Sequence, residues 1–143
     1  MMMNDVTNKP PLAFWLVSAL LLLWEAAGCA MYLNNVTMDI STLEPDIRAL
    51  YEATPIWAAA AFAIAVWAGL LAAILLLLRR RQARPLFLIS LVAAAAQFIW
   101  WLAFSGVFAV LGAASAIMPA LVIIIGIFAV WYSRRAATQG WIR

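Results

Sequence analysis

Glu25 is the side chain in this sequence that most needs a chemical explanation. It follows Leu20-Leu21-Leu22-Leu23-Trp24 and precedes Ala26-Ala27, deep in an apolar stretch. A carboxylate in such surroundings is costly, and it responds by taking up a proton, pairing with a cation or facing water. The apolar stretches hold no lysine or arginine to pair with it. Gln97 is the other strongly polar side chain set deep in apolar sequence, and its amide can satisfy either state of a carboxyl because it both donates and accepts. Glu25 lies 13 residues beyond Leu12, and Gln97 lies 12 beyond Pro85. Helices starting at those residues and running the same way bring both groups to one depth, roughly 20 Å from their common end. Trp67 and Pro119 fall near that layer. Trp24, Trp100 and Trp101 are also deep, and each buried indole N–H needs an acceptor or a path to water. The expected binding set is Glu25, Gln97, Trp67, Trp24 and Trp101, walling a small pocket for a flat or sugar-like molecule. The alternatives are bulk packing of the indoles and a protonated, hydrogen-bonded Glu25.

Other chemistry is thinly provided for. There is no histidine, which removes the commonest general base and the commonest metal ligand. Cys29 is the single cysteine, so neither an internal disulfide nor a two-thiol redox centre is available. No catalytic set, metal site or cofactor is expected, and a membrane enzyme is the least favoured reading. The net charge of +3 does not point to nucleic acid, because the arginines are few and sit at the ends of apolar stretches.

These residues are positioned by an all-α frame. Hydrophobic residues make up 69% of the 143, charged residues 10%, and mean hydropathy is +1.03, far from the soluble average. One transmembrane domain over residues 1–143 is expected, an integral four-helix bundle with spans at 12–33, 55–78, 85–106 and 116–133. Lys9-Pro10-Pro11 stops helix continuity ahead of the first span. That span is too long for a signal peptide, carries Glu25 and lacks a clear cleavage site, so a retained helix is expected. The loop 34–54 holds Asp39, Glu44, Asp46, Arg48 and Glu52. Within it, Pro45 suits a first helical turn, and Ile47, Leu50 and Tyr51 recur at helical spacing, so 45–53 reads as a short amphipathic surface helix. Thr54 is then expected to cap the next helix, with Pro55 at its first position. The uncharged run from Pro85 to Ser133 is too long for one helix, and Gly106, Gly112 and Ser115 mark its turn.

Eight of the nine basic residues, Lys9 and seven arginines, fall at one end of this frame, and Arg48 alone falls at the other. The positive-inside rule then puts both termini in the cytoplasm and the 34–54 loop outside. The ridge Ala65-xxx-Gly69-xxx-Ala73 lets helix backbones approach closely. Packing within the chain is favoured for it over a dimer seam.

Three segments carry a resemblance: Leu50-Tyr51-Glu52-Ala53-Thr54-Pro55-Ile56-Trp57, Leu75 to Ser90 with its Arg79–Arg84 cluster, and Ile117-Met118-Pro119 through Trp131-Tyr132-Ser133-Arg134-Arg135 to Gly140-Trp141. Together they resemble a family of small four-helix bacterial inner-membrane proteins that often bear the label "sugar transporter". The resemblance implies that fold, a bacterial inner-membrane location and a polar residue, often asparagine, at the position of Glu25. A small-solute transporter is the leading expectation, with the lipid bilayer as its surroundings and a homodimer as one way to complete a pathway. Glu25-Ala26-Ala27-Gly28 faintly resembles the first-helix glutamate region of small multidrug-type transporters, although the loops and later helices differ. The alternative is an accessory or scaffold subunit of a larger membrane complex.

Overall fold

The computed structural model describes residues 9–143, and residues 1–8, the start of the polar tail, lie outside the described residues. The described residues are helical throughout, without a strand. Helix α1 spans Leu12–Thr37, α2 Pro45–Glu52, α3 Ile56–Leu77, α4 Ala83–Ile99, α5 Val107–Leu111 and α6 Ile117–Thr138. Counting the irregular turns that prolong α4 to Phe104 and start α6 at Ala113, four helices are long and apolar enough to cross a membrane. This is the fold of a multi-pass helical membrane protein. Apolar spans must satisfy their backbone polar groups internally, and helices do so within a single segment.

Side by side, α1 packs on α3, α3 on α4, and α4 on α6. The small residues of α3 make this row possible. Ala65, Gly69 and Ala73 are all buried, as are Ala58, Ala61 and Ala72, so the ridge is used inside the chain. The Cys29 thiol donates to the Val66 carbonyl (3.3 Å), and the Ser90 hydroxyl donates to the Ala65 carbonyl (2.6 Å), tying α1 and α4 to the middle of α3. Between α4 and α6 the close approach is at Gly126, where a Cβ would lie 2.8 Å from Leu91 Cδ1.

The irregular segments follow local chemistry. Pro11 precedes α1, and Pro45 opens α2 with Asp46 in its first turn, as expected. Leu50 is buried and Ile47 half-buried, so α2 lays its apolar side on the bundle, beside α5. Thr54 does not cap α3. Its hydroxyl donates back to the Leu50 carbonyl (3.0 Å) and closes α2, and Pro55 itself takes the N-cap position of α3. The turn expected at Gly106 and Gly112 is there, and both glycines have positive φ, but α5 is folded between them with Val107 fully buried.

At the end where the arginines gather, α3 and α6 stop in the same way. Past α3, Arg80 N bonds Leu75 O and Arg79 N bonds Leu76 O. Past α6, Trp141 N bonds Ala136 O and Gly140 N bonds Ala137 O. Both are Schellman closures, which place one residue in the left-handed region. Gly140 takes that position after α6, but Arg79 takes it after α3, at φ 61°. Residues 141–143 hold this arginine in place. Arg79 Nε donates to the Trp141 carbonyl (2.7 Å), Arg143 N donates to Arg79 O (2.8 Å) and Arg81 N donates to Arg143 O (2.6 Å). Ile142 is buried beneath this clamp, and Trp141 packs edge-on against Phe14 at the start of α1.

Candidate functional site

A wide opening lies at the opposite end, near the acidic loop. It is a cavity of about 510 Å³, within the range of small-ligand sites. Asn35 and Tyr32 enter it from the last turns of α1, Tyr51 from α2, Phe62 from α3, and Gln97, Trp100 and Trp101 from α4. Pro119 and Ser115 close it from the start of α6. Its polar groups are neutral amides, hydroxyls and indole N–H groups, and among the described residues no charged side chain lines it.

Local irregularity builds this wall. At the end of α4, Ser105 N bonds Trp100 O (3.0 Å) across a wide π-helical turn, and the Ser105 hydroxyl donates to the Trp101 carbonyl. Turns of this kind are rare and recur at functional sites. The two indoles on it sit 6.4 Å apart and both face the cavity. Tyr32 makes edge-on contact with Phe62 (5.3 Å) and with Trp67 (6.2 Å), which fixes the α1–α3 side.

The structure divides the expected residue set. Gln97 and Trp101 line the cavity together with Pro119. Trp67 touches it indirectly, through Tyr32, and is otherwise well exposed. Trp24 and Glu25 are half-buried on α1, away from the cavity wall. The Glu25 carboxyl lies on Gly69, where an added Cβ would fall 2.6 Å from Glu25 Cδ. Among the described residues Glu25 has no hydrogen bond or ion pair, with Gln97 or with any other group.

The expected equality of depth between Glu25 and Gln97 does not hold. Cys29 meets Val66 and Glu25 meets Gly69 across α1 and α3, while Ser90 meets Ala65 across α3 and α4. On that register Glu25 is level with the region of Phe87, and Gln97 stands about ten residues, roughly 15 Å, nearer the acidic loop. Equal distance from the helix starts does not give equal depth, because those starts are not coplanar. Phe14, in the first turn of α1, is level with the C-terminal clamp, while α4 opens further inside.

Tyr32, Asn35 and Tyr51 were not among the expected residues. Tyr51 carried a signal, since it shares the apolar face of α2 with Leu50. Asn35 lay in what reads as loop because α1 runs to Thr37, four residues past the expected end of the span. Among the described residues no cluster of three or more potential metal-ligating groups occurs. No known family model matches the chain, and no characterised protein or solved structure matches it.

Proposed function

We propose that this protein is a small-solute transporter of the bacterial inner membrane whose outer binding site is the cavity around Gln97, Trp100 and Trp101. The observation that carries this reading is the cavity's lining, with aromatic faces and neutral amides and hydroxyls in an opening of about 510 Å³. Such walls suit an uncharged, flat or hydroxylated molecule, which stacks on rings and exchanges hydrogen bonds with amides. Glu25 then stands below the cavity. It is seven residues along α1 from Tyr32, about 10 Å toward the arginine end, in the same α1–α3 seam. A carboxyl with no partner in that seam suits a proton-responsive inner gate.

The orientation belongs to the same reading. With seven arginines and Lys9 at one end, the termini face the cytoplasm and the cavity opens outward. Cysteine labelling of Asp46→Cys in a Cys29→Ser background should proceed from the outer side, and labelling from the cytoplasmic side alone would reverse the assignment.

The functional test uses the purified protein in micelles. A panel of neutral monosaccharides and flat heterocycles should include members that quench the tryptophan emission saturably. Trp101→Leu and Gln97→Leu should each weaken that binding about tenfold, the loss expected for a stacking face or a paired hydrogen bond. Glu25→Gln should leave binding intact and abolish its pH dependence, and also that of uptake into vesicles. If no member of the panel binds, or binding is indifferent to both cavity substitutions, the reading fails.

A further inference from the structure

At the arginine end, Arg81 from the α3–α4 turn, Arg84 from the first turn of α4 and Arg134 from the end of α6 line one groove of about 230 Å³. Its remaining walls are Pro85, Leu88 and Val130. Among the described residues these three guanidiniums form no ion pair or side-chain hydrogen bond. Among the described residues the acidic side chains lie elsewhere, with Asp39, Glu44, Asp46 and Glu52 around α2 and Glu25 in the α1–α3 seam. Three like charges drawn around one groove repel one another, and an anion between them removes the cost. Guanidiniums match phosphate oxygens with paired N–H donors. The groove also has an apolar side. Exposed Leu88, Val92 and Ile127 continue from it along the α4–α6 face toward the middle of the span.

We propose that this groove is a binding site for an anionic phospholipid of the adjoining leaflet. Arg81, Arg84 and Arg134 hold the headgroup phosphodiester, and an acyl chain lies along Leu88, Val92 and Ile127. Charge alone would admit free phosphate as well. The apolar wall beside the guanidiniums and the exposed apolar track leading from it favour the lipid, and basic pockets between membrane helices bind such headgroups. The proposal is independent of the cavity at the other end.

Native mass spectrometry of the whole protein, titrated in micelles with phosphatidylglycerol or phosphatidylcholine of the same acyl chains, tests it. The wild type should hold phosphatidylglycerol at least tenfold more tightly. Each arginine near such a headgroup contributes about fivefold, so Arg81→Gln/Arg84→Gln/Arg134→Gln should lose on the order of a hundredfold. The control Lys9→Gln/Arg80→Gln/Arg135→Gln removes the same charge outside the groove and should lose less than a tenth as much. Equal binding of the two lipids by the wild type overturns the proposal. So does an equal loss in the two triple variants, which would indicate a diffuse field rather than a site. Displacement of phosphatidylglycerol by millimolar inorganic phosphate assigns the groove to a free anion and overturns the lipid. The wild-type comparisons decide the matter even if a triple variant does not fold.

Discussion

At the scale of single residues, the contact between Glu25 and Gly69 makes the sharpest prediction. The space above Gly69 is filled by the carboxyl, so Gly69→Ala must displace it. At Gly28 the same change meets Val66 Cγ1 at 3.6 Å, an ordinary contact. The group displaced is the end of a flexible side chain, so Gly69→Ala should cost no more than about 1 kcal/mol of stability and Gly28→Ala close to nothing. In a Glu25→Ala background the Gly69 penalty should shrink by at least ~0.5 kcal/mol, the lower end for contacting residues. Additive losses in a double-mutant cycle would show that the carboxyl does not occupy that space. Ser18 offers the converse case. It is fully buried, and its hydroxyl has no partner among the described residues. Ser18→Ala should raise stability by about 1 kcal/mol in denaturant titrations, because an unsatisfied buried hydroxyl is removed at nearly constant volume. Outside the spans, Asp39 accepts from the Ser41 amide (3.0 Å) and from its hydroxyl (2.6 Å). The hydroxyl bond chiefly, and the amide bond with it, hold the Asp39 carboxyl below its ordinary value of 3.8. A depressed carboxylate contributes its stabilisation above the ordinary value and loses it as pH falls through the folded one. Protection of the Ser41 amide in hydrogen exchange should thus persist down to pH 3.8 and collapse below it. Asp39→Asn should abolish that pH step.

At the scale of elements, α4 and α6 meet at Gly126, and Gly126→Val should force Leu91 aside and cost about 1–3 kcal/mol, measured by unfolding in micelles. The helices themselves were legible in the sequence for physical reasons. Prolines at 11, 45 and 55 stand at or next to three helix starts, and apolar length set the four spans. The amphipathic spacing of Ile47, Leu50 and Tyr51 identified α2, and Leu50 is indeed buried. The site was less legible. Gln97 and Trp101 do share a cavity, but the register between helices depends on which small residues nest together, such as Gly69 under Glu25, and hydropathy is blind to that. The π-helical turn that brings Trp100 and Trp101 to the wall has no compositional mark, and α5 was hidden because its glycine boundaries look the same as those of a plain turn.

At the scale of the whole molecule, the two ends differ in character, with a cavity at one and a hydrogen-bonded clamp at the other. Removing residues 141–143 takes away the buried Ile142, the ring contact with Phe14 and three hydrogen bonds to the α3–α4 turn. Loss of the buried side chain alone is worth about 1.5–3 kcal/mol, so the shortened protein should melt several degrees lower, and Arg79→Gly should recover part of that difference. The same clamp bears on the order in which the chain is made. Arg79 sits in a backbone conformation that an arginine rarely holds unaided, and its partner Trp141 lies 62 residues later. A ribosome that has just released α3 and α4 therefore leaves a hairpin whose turn has its own local hydrogen bonds but not the three to the tail. The clamp closes after α6 has entered the bilayer and its tail has folded back, so chains stalled before residue 141 should show the α3–α4 junction more open to proteases.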